Sequence, residues 1–105
     1  MRYTATIIFA KLGRMKYISH LDLMRLWSSA MRRSDVPFAV SEGFSKHPRI
    51  ALKRALKLGV ESESEEAQII LRENMAPDEL GERLKKQFPE GILIKEVRAG
   101  LRASD

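Results

Sequence analysis

The chain has 105 residues, a formal net charge of +5 and no cysteine. Without thiols it forms no disulfide, thiolate zinc site or iron–sulfur centre, and its length fits one small domain. The basic excess favours an anionic partner, such as nucleic acid, an anionic cofactor or an acidic protein surface. The sequence shows no apolar run long enough to cross a membrane and no secretory leader, so we expect a soluble cytoplasmic protein without a membrane partner.

The first predicted elements are a strand over residues 2–10 and a helix that begins near Ser19. The strand segment is rich in Thr, Ile, Tyr and Phe, and its residues alternate loosely. Ser19 is placed to cap the helix, with Asp22 as the acidic member of a capping box. Pro37 marks the end of the helical region. The spacing predicts a buried stripe of Leu23, Trp27, Ala30 and Met31 and a solvent-exposed face that includes Asp22, Arg25, Ser29 and Arg32.

The middle of the chain is harder to assign. Residues 38–40 are a short strand candidate, and a loop rich in Gly, Pro and basic residues follows at 43–50. Residues 49–58 suit either a helix or the arm of a hairpin, and periodicity does not decide between them. We predict a strand over 67–71, entered through a solvated turn formed by the acidic run 61–66.

The second helix has clear boundaries. Pro77 suits its first position, and Met75 is placed to pack on Leu80 as a hydrophobic staple. Leu80, Leu84 and Phe88 share one face. A last strand follows over 92–97. We divide the chain into one domain over residues 1–98 and a C-terminal tail over residues 99–105.

The order strand, helix, strand, strand, helix, strand predicts an α+β fold of the ferredoxin-like type. This βαββαβ sandwich has an antiparallel sheet with two helices on one face. Right-handed crossovers would make the first two strands parallel, so that their carboxyl ends lie at one edge of the sheet. We therefore expect the start of the first helix to face the 43–50 loop.

That edge is the predicted binding site. A helix N-terminus offers unpaired amides and a positive dipole end, and basic side chains surround it. Phe44 is an aromatic side chain on which a base would stack. The alternative is a basic loop that is merely solvated. The predicted binding residues are Lys16, Ser19, His20, Phe44, Lys46, His47, Arg49, Lys53 and Arg54.

The two imidazoles, His20 and His47, are the weak candidates for catalysis. A histidine at a helix N-terminus is biased toward its neutral form and would suit a general base. Both histidines equally suit ordinary structural positions. A metal site would need a third ligand, for which only Asp22 and Glu42 are near in sequence, so we predict no metal and no cofactor.

Six short segments of the chain carry an unusual combination of residues: 16–22, 24–27, 31–33, 43–44, 47–50 and 58–62. Together these segments resemble the radical SAM-associated family DUF2344. At the loop the family usually has Gly-Phe-Asn-Pro-His-Pro, whereas this chain has Ser45 and Lys46 at the middle positions, and family members are typically longer.

The resemblance implies a partner, because members occur alone or fused to the C-terminal end of radical SAM proteins. Lacking cysteine, this chain does not hold the cluster that generates the radical. The leading hypothesis is a non-catalytic accessory domain that holds RNA or tRNA for a radical SAM enzyme. One alternative is a metal-independent endoribonuclease, similar to the repeat-processing nucleases of CRISPR systems, that uses His20 with His47 or Lys46. Another is a module that docks on an acidic region of the radical SAM enzyme.

Overall fold

The computed structural model describes residues 2–41, 47–55 and 57–102. A short 3-10 helix, Gly13–Tyr17, connects the first strand to the first α-helix. The strands and α-helices, in chain order, are β1 (Tyr3–Lys11), α1 (His20–Arg33), β2 (Ile50–Leu52), β3 (Ser62–Leu71), α2 (Pro77–Lys85) and β4 (Ile92–Arg102).

The strands form one sheet in the order β2-β3-β1-β4, and every neighbouring pair is antiparallel. Both helices contribute to the same hydrophobic core, with Trp27 from α1 and Leu84 from α2 packed with Ile7 and Phe9 of β1. The helices therefore cover one face of the sheet. The predicted ferredoxin-like α+β fold is confirmed.

Helix α1 begins and buries its residues as its sequence predicts. The Ser19 hydroxyl accepts a hydrogen bond from the Asp22 amide at 3.1 Å, which satisfies one of the free amides of the first turn. Trp27 is fully buried between Phe9 and Phe88, with ring centroids 5.2 and 4.6 Å away in edge-to-face geometry. These contacts confirm Trp27 as a core residue.

The second strand of the fold is interrupted. It consists of residues 38–39 and residues 49–52, both of which pair with β3. The Ile70 carbonyl accepts a hydrogen bond from the Ala39 amide at 2.8 Å, whereas the Ile70 amide donates to the Arg49 carbonyl at 3.1 Å. The Arg49 amide in turn donates to the Ala39 carbonyl at 2.9 Å. Ala39 and Arg49 thus share the place of one strand residue opposite β3. The chain leaves its pairing with β3 after Ala39 and resumes it at Arg49, and between these two residues Val40 pairs with Pro48. Pairing of Phe38 with Leu71 continues the same ladder on the other side.

Three segments differ from their predicted structure. Residues 62–66, expected in a solvated turn, form the first half of β3, where Ser62 lies opposite Lys11 of β1. Strand β4 continues beyond Val97 to Arg102, so that residues 99–102, expected in the tail, extend the pairing with β1. The described part of 49–58 is a short strand followed by irregular backbone, because β3 offers edge pairing that local periodicity does not reveal.

Candidate nucleic-acid interface

An open groove of roughly 860 Å³ runs between α1 and the interrupted second strand. Residues spaced three or four apart on α1 form one wall, because the helix turns about 100° per residue. The opposite wall comes from the two ends of the 40–48 segment and from β2. The lining residues are Leu21, Met24, Arg25, Ser28, Ser29, Arg32, Ser41, His47, Pro48, Arg49, Ile50, Ala51, Gln68 and Ile70.

The charged residues in the described lining of the groove have one sign. Arg25, Arg32 and Arg49 line it, and no carboxylate is among its described lining residues. All three arginines are exposed. Arg25 contacts Asp22 at 3.4 Å, but both side chains remain more than half exposed, so this ion pair is weak and open to competition.

Apolar side chains form the floor. Pro48 is fully buried, and Met24 and Ile50 are partly buried. Hydroxyl groups of Ser28 and Ser29 lie on the α1 wall. The groove therefore combines an apolar floor, neutral hydrogen-bonding groups and a positive rim, which suits a ligand with both flat apolar and anionic parts.

Two of the predicted site residues, His47 and Arg49, line this groove. The backbone of His47 is held by Ser41, whose hydroxyl accepts from the His47 amide at 3.3 Å and whose amide donates to the His47 carbonyl at 2.8 Å. Phe44 and Lys46 lie outside the described residues.

The predicted residues at the start of α1 lie elsewhere. The Ser19 hydroxyl is engaged in its cap, and the Lys16 ammonium stands 5.2 Å from the centre of the Tyr17 ring. His20 is exposed and does not line the groove, since its position is about 100° around the helix from that of Leu21. The structure thus does not bring His20 and His47 together in the groove.

The reason for this separation is the place where the 40–48 segment leaves the sheet. It leaves beside Ile70, part-way along the second strand, rather than at the carboxyl end of that strand as expected. The start of α1 instead adjoins the turn around Gly59, whose amide donates to the Lys16 carbonyl at 2.5 Å.

Lys53 and Arg54 are also apart from the groove. Arg54 forms a two-point ion pair with Glu65, with distances of 2.9 and 2.6 Å between nitrogen and oxygen. Hydrogen bonding to Glu65 raises the pKa of Arg54, and the same bond lowers the pKa of the Glu65 carboxyl. Lys53 is exposed beside Ile8 and Glu66. Carboxylates of β3 thus lie next to both of these predicted binding residues, so Lys53 and Arg54 do not extend the positive charge of the groove.

Sequence analysis missed a buried polar cluster behind that ion pair. Lys11 is 1% exposed, and its ammonium donates to the Lys57 carbonyl at 2.9 Å. Burial lowers the pKa of Lys11, and the nearby Glu65 carboxylate acts in the opposite direction. The sequence does contain a signal for the burial of Lys11, because this residue continues the alternation that turns Ala5, Ile7 and Phe9 inward.

Exposed apolar side chains gather near the start of α1. Tyr17, Leu58 and Val60 are each more than half exposed, and the bond between Gly59 and Lys16 brings their segments together. We call Tyr17, Leu58 and Val60 the end patch. Lys16 and Lys57 flank it in sequence.

Two other kinds of feature, a metal site and a membrane-spanning helix, are absent from the described residues. No group of three or more His, Asp or Glu side chains is arranged to hold a metal ion. No helix in the described ranges is long and apolar enough to cross a membrane.

Comparison with known proteins gives one family. A family model described as an uncharacterized protein conserved in bacteria, DUF2344, matches residues 4–103. That match covers nearly the whole chain and all of the elements described above. No curated protein and no solved structure matches the chain significantly.

Proposed function

We propose an RNA-binding function for this chain, which belongs to the DUF2344 family. In this proposal it is an accessory domain for a partner enzyme of the radical SAM class. It binds RNA through the groove between α1 and the interrupted strand. One observation carries the proposal: Arg25, Arg32 and Arg49 converge on a groove whose described lining contains no carboxylate. Arginine is the side chain best suited to bind phosphate, because its planar group donates two hydrogen bonds at once.

The groove predicts how RNA binding depends on salt. A protein that neutralises phosphates releases bound counterions, so its affinity falls as salt rises. Three phosphate contacts on a single strand correspond to a slope of about −2 in log affinity against log salt, from roughly −0.7 per contact. Fluorescent total tRNA and a random single-stranded RNA, each titrated across salt, measure this slope.

The decisive variant replaces Arg25, Arg32 and Arg49 together with alanine. We expect at least about a tenfold loss of affinity at low salt and a slope close to zero, since the phosphate contacts are gone. The matched control replaces Arg33, Arg72 and Lys86, which are also exposed but do not line the groove, so net charge changes equally. If both variants bind RNA as the unmodified chain does, or both lose affinity equally, the groove is not the binding site.

A second candidate function has its own observation, the end patch. Apolar side chains beside Lys16 and Lys57 suit an acidic protein segment that carries apolar residues. Under this hypothesis the domain docks on an acidic region of the radical SAM enzyme. A pull-down of a purified radical SAM protein should weaken with salt, resist nuclease and fail with Tyr17→Ser/Leu58→Ser. A pull-down abolished by nuclease would instead indicate that RNA joins the two proteins.

A further inference from the structure

The floor of the groove restricts which form of RNA fits it. The exposed arginines of the rim can bind phosphates. A phosphate placed against the floor, formed by Met24, Pro48 and Ile50, would instead lose hydration without compensation. A nucleobase has two apolar faces and a polar edge. Placed on the floor, it would cover the apolar side chains while its edge meets the hydroxyl groups of the wall.

We infer that the groove takes an unpaired nucleotide of single-stranded RNA, with its base on the apolar floor and its flanking phosphates on Arg25, Arg32 and Arg49. This inference rests on the proposed function and narrows its substrate class. Duplex RNA does not fit the same arrangement, because its bases are stacked inside and it offers only phosphates, sugars and base edges on its surface.

The dimensions agree with this occupant. Sites for small organic ligands usually measure about 300–1,000 Å³, and the groove, at roughly 860 Å³, lies within that range. The hydroxyls of Ser28, Ser29 and Ser41 line it and both donate and accept hydrogen bonds. Such groups accommodate the polar edges of more than one base, so we expect weak sequence preference.

The test compares three fluorescent probes that carry the same number of phosphates in the labelled strand. They are a 12-nucleotide single-stranded RNA, the same strand annealed to its complement, and an abasic strand with the same sugar–phosphate backbone. We expect the single strand to bind about tenfold more tightly than either other probe, because only its unpaired bases can cover the apolar floor. The full chain is used throughout.

A variant of the apolar side chains that α1 contributes to the groove gives a second, independent measurement. In Leu21→Ser/Met24→Ala the rim arginines remain, so we expect the salt slope to persist while the advantage of the single strand over the abasic strand falls to about twofold. Both residues lie on α1 outside the hydrophobic core cluster, and circular dichroism checks that the variant folds. If it does not fold, the abasic comparison on the unmodified chain still decides the inference.

The outcomes separate the inference from the function on which it rests. Equal affinity for the single strand, the duplex and the abasic strand, with loss in the triple arginine variant, overturns the unpaired-nucleotide inference and leaves RNA binding in place. Tighter binding of the duplex overturns it in the same way. Absence of binding to all three probes at low salt overturns both.

Discussion

Glu65 is a nearly buried carboxylate that ties three segments of the chain together. It is 4% exposed and accepts hydrogen bonds from Arg54 and from the Ser62 hydroxyl. Behind it lies the buried ammonium of Lys11, which holds the backbone at Lys57. A buried charge without its partner is costly, so the members of this cluster depend on one another.

This cluster predicts a pH dependence of stability. Hydrogen bonding to Arg54 lowers the folded-state pKa of Glu65 below its ordinary value of 4.5, despite opposing desolvation. The unfolded chain therefore takes up the proton first as pH falls. The stabilisation is fully present above about pH 5.5 and is lost as pH falls through 4.5 toward the folded-state pKa.

Glu65→Gln measures that contribution. At pH 7 we expect it to lower the free energy of unfolding by about 2 kcal/mol, because the ion pair and the counter-charge of Lys11 are lost. The difference from the unmodified chain should shrink as pH falls below 4.5. Urea unfolding followed by Trp27 fluorescence gives both quantities. A constant difference across pH would show that the Glu65 charge contributes nothing.

Two glycines with positive φ offer a matched comparison at the residue scale. Gly91 has φ +103°, and a Cβ there would lie 2.6 Å from the Leu12 carbonyl oxygen and 2.7 Å from Met15. Gly59 has φ +84°, but a Cβ there would meet no atom within 4 Å. Both positions strain an L-residue, whereas only Gly91 also excludes a side chain sterically.

We therefore expect Gly59→Ala to cost about 1 kcal/mol of unfolding free energy and Gly91→Ala about 3 kcal/mol. Thermal unfolding of the two variants side by side checks the order. Equal losses would mean that the contact between residue 91 and the 3-10 helix relaxes without cost.

At the scale of elements, the interrupted second strand explains how a small antiparallel sheet carries a binding groove. Strand β3 keeps its hydrogen-bond ladder because Ala39 and Arg49 each take one of the two bonds of Ile70. The 40–48 segment is thereby added without a change of register. It places Pro48 and the His47 backbone against the wall formed by α1.

Deleting residues 40–49 tests this description. Ala39 would then precede Ile50, and the Ile70 amide would bond to the Ala39 carbonyl in an ordinary antiparallel pair. We expect a folded domain with a cooperative unfolding transition and an RNA affinity at least about tenfold lower, since one wall of the groove is removed. Failure of the shortened chain to fold would show that the segment belongs to the structural core.

For the whole molecule, one core serves both helices and all four strands of the described chain. The longest strands, β3 and β4, each pair with β1 along most of its length. Such mutual packing predicts a single cooperative unfolding unit. Trp27 is the only tryptophan and is fully buried, so its fluorescence reports on that core.

Urea unfolding should therefore give coincident transitions by Trp27 fluorescence and by far-ultraviolet circular dichroism. The physical reason is that α1 and α2 bury their apolar faces in one hydrophobic core and lose that burial together. Separate midpoints for the two signals would show that one helix melts independently of the sheet.

Local sequence determined most of the elements and the fold class. The alternation of residues predicted β1, and Pro77 predicted the start of α2. Helix α1 was predicted by the Ser19 cap and by the spacing of apolar residues from Leu23 to Met31. Each of these signals acts over a few neighbouring residues. The element order then allowed few topologies other than the ferredoxin-like one.

Tertiary structure alone decided the candidate site. Arg25 and Arg32 look like ordinary solvent-exposed positions of α1 until Ser41, His47 and Arg49 lie across the groove from them. Arg54 looks like part of a basic surface until Glu65, from a different strand, neutralises it. These juxtapositions depend on where the chain leaves the sheet at Ala39 and returns at Arg49. That point is set by the hydrogen bonds of Ala39 and Arg49 with Ile70. Because Ile70 is distant from both in sequence, no local sequence pattern predicts this pairing.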